Sequence, residues 1–244
     1  MSFDWEIFWD ALFSSAYARG AGVAIAVAAL AQASAVVLGL GIALLRRSSF
    51  LPARILASGW VWIFRAVPTL LQLLFVWNAL PQLIPSLKDD WFTPFLAAWL
   101  TLAINESAYM AEIIRAGLNT VDRGQVLAGK TLGLRSGQVF RIVVLPQVIR
   151  VIIPATGNEF ITLLKLTALA SVISLRELLT VTSQQVAVNF RFAELYGAAT
   201  VWYLAIVSVF IVVQAQLERR FQWSSERRTM FGGLRSQTPV AVNR

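Results

Sequence analysis

The chain has 244 residues, of which 57% are hydrophobic and 14% charged, with a formal net charge of +8. A soluble domain carries about 25% charged residues, so the shift is in the direction a bilayer demands. The absence of cysteine and histidine excludes disulfides and thiolate chemistry, and with them zinc catalysis and Ser-His-Asp hydrolysis, because the commonest general base and metal ligand are missing.

The N-terminal stretch holds Asp4, Glu6 and Asp10 and no basic residue up to Asp10. It lacks the basic n-region of a secretory signal, and residues 3–18 read as an amphipathic helix at a membrane surface. A spanning helix needs about 20 mostly apolar residues. The first such run is Gly20 to Leu45, stopped by Arg46 and Arg47. The second is Ile55 to Leu80, before the Pro81–Pro85 stretch, and the third is Pro94 to Ile114. The region Ile142–Ile173 is apolar but interrupted by Pro146, Arg150, Pro154, Asn158, Glu159 and Lys165. The last run is Tyr196 to Ala215, stopped by Glu218, Arg219 and Arg220.

Charge placement settles how often the interrupted region crosses. Most of the 21 basic residues lie in three segments: after the first run, after the third run as far as Arg150, and after the last run. The positive-inside rule puts all three in the cytoplasm, which requires Ile142–Ile173 to cross once. The same rule accounts for the basic balance without nucleic acid. The predicted fold is therefore an all-α integral membrane domain over 1–225. Its five spans run over about 20–45, 55–80, 94–114, 147–168 and 196–215, with the N-terminus outside and the C-terminus inside. Residues 167–190 read as a re-entrant or interfacial helix and loop, 119–141 as a cytoplasmic loop, and 226–244 as a polar, disordered tail.

Residues Gly124 to Thr131 read GQVLAGKT and match the phosphate-binding pattern G-x-x-x-x-G-K-[ST] letter for letter. That pattern works when an apolar strand delivers the loop onto a helix N-terminus. The preceding Leu118–Arg123 is no such strand, so nucleotide binding is rejected here. Val126, Leu127, Leu132, Leu134, Val139 and Phe140 instead suit a short amphipathic helical hairpin turning at Gly133, an apolar surface ringed by basic residues and fit for docking a partner protein.

Around this hairpin, residues 124–146 (GQVLAGKTLGLRSGQVFRIVVLP) resemble the motif EAA-x3-G-x9-I-x-LP of bacterial ABC importer permeases. Ala128, Gly133, Leu145 and Pro146 match and Val143 stands for the isoleucine, while Leu127 replaces the Glu and Gly129 the second Ala. FRAVPTLLQL at Phe64–Leu73, SAYMAEIIRAGL at Ser107–Leu118 and GNEFITLLKLTALASVI at Gly157–Ile173 resemble further elements of the polar amino-acid subfamily. The resemblance covers residues 15–220. It implies a type I importer permease fold and a transport subunit rather than an enzyme, in a bacterial inner membrane. It further implies a pore built with a second copy or a sister permease, a dimer of ABC ATPase subunits that binds the ATP, and an extracytoplasmic amino-acid-binding protein. Gly124–Gly137 becomes the coupling helix, with Gly124, Leu127, Ala128, Gly129, Leu132, Gly133 and Leu134 docking the ATPase. No cofactor or metal is expected in this chain. A gradient-driven secondary transporter is the alternative, and five spans fit that class poorly.

Charged groups at membrane depth need a partner or a wet cavity. An amino acid brings an ammonium and a carboxylate. Glu106 or Glu159 suits the first, and Arg65, Lys165 or a broken helix end the second, with Asn105, Asn158 and Thr162 beside them. Glu112 and Arg115 fall at a helix end and read as structural. Two departures bear on selectivity. Lys165-Leu166-Thr167-Ala168 stands where the family often has K-D-T-S, and Glu106 where many relatives have a small polar residue.

Overall fold

The computed structural model describes residues 3–222, and among these every regular element is a helix. The tail expected over 226–244 lies outside the described residues.

The Asp4 carboxylate caps α1 (Trp5–Leu12), accepting from the amides of Glu6 and Ile7. The surface helix expected over 3–18 ends sooner than that, because Ser14 starts a new helix. Its hydroxyl accepts the Tyr17 N–H at 3.2 Å and opens α2 (Ser15–Arg46). Trp5, Trp9 and Phe13 remain exposed on and beside α1, where aromatic rings suit a membrane–water interface.

Helix α2 has 32 residues, about 48 Å at 1.5 Å per residue, which exceeds the roughly 30 Å hydrocarbon core. Its buried face is a stripe of small residues, Ala24, Ala28, Ala31, Ala35, Gly39 and Ala43. Small residues let helix backbones approach closely in lipid, where no hydrophobic force drives association. The stripe packs along α5 (Pro94–Asn119), the most extensive helix pair in the fold. At Gly39 the approach is closest: a Cβ there would sit 2.6 Å from Met110 Cβ and 3.0 Å from the Ser107 carbonyl.

The apolar run 55–80, read from sequence as one span, is broken. Helix α3 (Leu51–Ala66) stops and α4 (Thr69–Leu83) leaves at 102° to it. Pro68 is the cause: it has no N–H to continue the helix, and its ring forces Val67 out of the helical region, to φ −85° and ψ 129°.

Beyond α5 a short helix, α6 (Arg123–Thr131), is followed by a long one, α7 (Ser136–Ile173), with a π-turn at Phe140–Val144, Pro154 inside it and a 3₁₀ finish from Thr167. Helices α8 (Leu178–Asn189) and α9 (Phe192–Gln222) complete the described residues. Helices α2, α7 and α9 are long and apolar enough to cross a bilayer, and the bent pair α3–α4 makes a fourth candidate. Helix α5 carries Asn105, Glu106 and Ser107 at its middle, all buried, so its polar groups are screened from lipid by the other helices. The architecture is an all-α integral membrane fold of five long segments with the α6 hairpin at one end.

The region 167–190, expected as a re-entrant or interfacial helix and loop, is a 3₁₀ segment, a left-handed Ser174 and then the 12 residues of α8. Glu177 holds this turn. It is fully buried and accepts from Leu179 N (2.8 Å), Thr180 N (2.7 Å) and Tyr203 Oη (3.0 Å), tying α8 to α9. At the opposite end of the bundle Glu112 pairs with Arg46 and, at 2.6 Å, with Arg115, the structural role the sequence suggests.

Candidate functional site

The break between α3 and α4 leaves carbonyls without helical partners, and side chains meet them. Gln72 donates to the Phe64 carbonyl at 3.2 Å and to that of Val67 at 2.9 Å. Asn105 of α5 donates to the same Phe64 carbonyl at 2.9 Å. Unpaired backbone groups cannot be left in hydrocarbon, so the two amides are what makes a broken helix tolerable at this depth.

This anchorage brings Arg65, the next residue, over the Tyr109 ring at 5.3 Å. Glu159 of α7 lies within electrostatic range of Arg65 and of Glu106, attracted by the first and repelled by the second. Four of the seven expected path residues, Arg65, Asn105, Glu106 and Glu159, therefore gather around the break. Arg65 is exposed, Glu159 half-buried, and Glu106 only 2% exposed. The other three, Asn158, Thr162 and Lys165, line one exposed face of α7 running away from Glu159. They are spaced at helical repeats of three and four, so they share that face. The Thr162 hydroxyl is spent on the Asn158 carbonyl at 3.2 Å. Sequence reading missed Gln72, whose signal was its position after Arg-Ala-Val-Pro, and Gln214 of α9, which pins α7 by donating to the Pro154 carbonyl at 2.7 Å.

The phosphate-like stretch Gly124–Thr131 is helical, lying wholly within α6. The hairpin closes as a Schellman turn: Gly133 N donates to Lys130 O at 3.0 Å, and Leu134 N to Gly129 O at 3.1 Å. Gly133 sits at φ +82°, a conformation open to glycine at no steric cost. Gly124, Leu127, Ala128, Leu132 and Gly133 are exposed, Leu127 at 66% and Leu132 at 82%. Leu134 is half-buried, and Gly129 is buried against Val139. Gly129 thus serves closure of the hairpin and offers no surface to a partner. Between this hairpin and the ends of α2 and α5 lies a cleft of about 1150 Å³, bordered by Arg47, Arg123 and Lys130.

A helical membrane bundle with a broken span, charges gathered at the break and an exposed apolar hairpin at one end defines a transport subunit. Residues 35–223 match the family described as binding-protein-dependent transport system inner membrane component. The chain is 36% identical over 236 residues to an arginine transport system permease protein, ArgU, of Corynebacterium glutamicum, covering 93% of this chain and 74% of that one. It is 34% identical over 222 residues to the glutamine transport system permease protein GlnP of Escherichia coli K12, covering 91% and 99%. A solved amino acid ABC transporter, crystallised with histidines, superposes with a TM-score of 0.82 at 35% identity, covering 90% of this chain and all of that one. The methionine transporter MetNI, at 18% identity and a TM-score of 0.67, shares the fold. The chain belongs to this family: it is a multi-pass inner-membrane permease subunit of an ABC importer, with the type I permease fold, and a transport subunit rather than an enzyme.

Proposed function

We propose that the chain forms the translocation path of an ATP-driven importer of polar amino acids. The observation that carries this is the broken helix itself, where Arg65 is exposed over the Tyr109 ring beside the exposed polar face of α7, with Glu159 in its electrostatic range as the opposed member of a pair. The pair matches the carboxylate and ammonium that every amino acid presents, and discontinuous helices are where membrane transporters hold such groups. Arg65 or Lys165 takes the carboxylate. Glu159 takes the ammonium. Asn105, Asn158 and Thr162 border the path, and the buried Glu106 forms part of its wall. The names of the relatives support an amino-acid cargo.

The exposed face of α7 needs a cover, which a second copy or a sister permease supplies. The α6 hairpin docks a dimer of ATPase subunits through Leu127, Ala128 and Leu132, with Gly133 and Leu134 shaping the turn and Gly124 opening the helix. ATP is bound and hydrolysed there, and this chain holds no cofactor. An extracytoplasmic binding protein delivers the substrate. The N-terminus faces outward and the C-terminus the cytoplasm, because the hairpin and the Arg46–Arg115 end carry the basic residues.

The test is uptake of radiolabelled amino acids by proteoliposomes holding the permease, its co-purified ATPase and the binding protein. Uptake requires internal-facing ATP, and Glu159→Gln lowers it at least about tenfold. Uptake without ATP, driven by an ion gradient, would replace this reading with that of a secondary transporter.

A further inference from the structure

Charge accounting at the broken helix leaves one group over. An amino acid's backbone offers one positive and one negative charge, and Glu159 and Arg65 answer both. Glu106 remains. It is 2% exposed, and its Oε1 has no hydrogen-bond partner among the described residues. No ion pair involves it among the described residues, and the charge that acts on it is the like charge of Glu159. The polar residues near it in sequence are committed elsewhere. The Asn105 amide serves the Phe64 carbonyl. The Ser107 hydroxyl donates to the Ile104 carbonyl while accepting from Trp60 Nε1. The Tyr109 ring is faced by Arg65. A buried carboxylate without a partner is costly in a protein interior and more so in a membrane.

From this we infer that Glu106 is a specificity-determining residue that receives a second positive charge, carried by the substrate's side chain, so that the path prefers cationic amino acids over neutral ones of the same size. The inference rests on the amino-acid reading above. Its physical basis is the cost of the mismatch. A neutral side chain reaching Glu106 leaves the buried carboxylate without a counter-charge, whereas a guanidinium or ammonium side chain supplies the missing donor. Lys165 does not compete for this role. It stands on the exposed face of α7 six positions beyond Glu159, about 9 Å along the helix.

The deciding probe is a pair of ligands equal in shape and different in charge, L-arginine and its uncharged ureido isostere L-citrulline. Binding is measured by equilibrium dialysis on the assembled permease–ATPase complex in nanodiscs. The binding protein is left out so that its own selectivity does not enter. The wild-type complex binds citrulline at least about tenfold more weakly than arginine, a factor of ten corresponding to about 1.4 kcal/mol. In Glu106→Gln the ratio moves toward one while the ATPase stays bound. Equal binding of the two ligands by the wild type would overturn the inference, as would a ratio unchanged in E106Q. Should E106Q fail to assemble, the wild-type ratio decides. Failure of arginine, glutamine and glutamate alike to bind would remove the amino-acid reading and this inference together. Equal arginine and citrulline binding removes this inference alone.

Discussion

Asn105 and Gln72, on different helices, donate to one carbonyl, that of Phe64, at 2.9 Å and 3.2 Å. This shared acceptor fixes the broken end of α3 against the middle of α5, and so fixes Arg65 relative to Glu106. Either donor can serve Phe64 when the other is lost. Asn105→Ala costs about 1 kcal/mol, the ordinary worth of a hydrogen bond, and Gln72→Ala about 2 kcal/mol, because it also bares the Val67 carbonyl. The double variant leaves the carbonyl bare in an apolar setting and costs more than the sum. Thermal unfolding of the four proteins in detergent, followed by size exclusion, measures this. Strictly additive losses would show that the two amides do not back each other up.

The contact between α2 and α5 depends on the absence of a side chain at Gly39. A methyl there meets Met110 Cβ and helix backbone, neither of which can swing aside, whereas at Gly41 it meets nothing within 4 Å. Gly39→Ala is expected to destabilise by about 1–3 kcal/mol through overpacking. Gly41→Ala, on the same helix, stabilises slightly or has no effect, by up to about 1 kcal/mol of helix propensity. Comparing their melting temperatures tests the close approach, and equal effects would contradict it.

At Gly133 the demand is on the backbone and not on space. Its φ is +82°, and a Cβ would meet nothing within 4 Å. Gly133→Val forces a β-branched residue into the left-handed region, at a cost of about 1–3 kcal/mol. It opens the turn and separates Leu132 from the rest of the hairpin. The chain still inserts, but ATPase co-purification and uptake fall. Gly133→Asn, which tolerates this conformation, retains most of both. Equal loss in the two variants would indicate that side-chain bulk, and not φ, is the constraint.

Glu177 and Tyr203 are bonded at 3.0 Å across α8 and α9. Glu177→Ala removes the cap of α8 and strands two amides and the Tyr203 hydroxyl, for a loss of about 3 kcal/mol or more. Tyr203→Phe removes one donor and costs about 1 kcal/mol. Hydrogen exchange of 178–189 reads the loosening directly. Unchanged protection in E177A would show that α8 is held by its apolar contacts alone.

Much of this protein is written in local sequence. Apolar runs and basic stops announce a helical membrane protein, and Gly133 a helix end, because spanning length and the left-handed turn are properties of a few consecutive residues. The break at Pro68 is equally local in origin, yet the run 55–80 reads as one span on hydropathy alone, and the structure shows the bend. The helical nature of GQVLAGKT was also legible, from the lack of a strand before it. Other features depend on residues far apart in the chain. Composition could not say that Gln72 and Asn105 converge on Phe64, that Glu177 meets Tyr203, or that Gly129 turns inward to Val139. Sequence named Arg65, Glu106 and Glu159 as ionisable groups at membrane depth, and left open which of them were paired. Only the packing of α5 against the broken α3, and of α7 against α5, brings Glu159 within electrostatic range of both Arg65 and Glu106 and leaves Glu106 Oε1 without a hydrogen-bond partner among the described residues. Coulomb interaction acts through space, and the chain brings these groups together only when it folds.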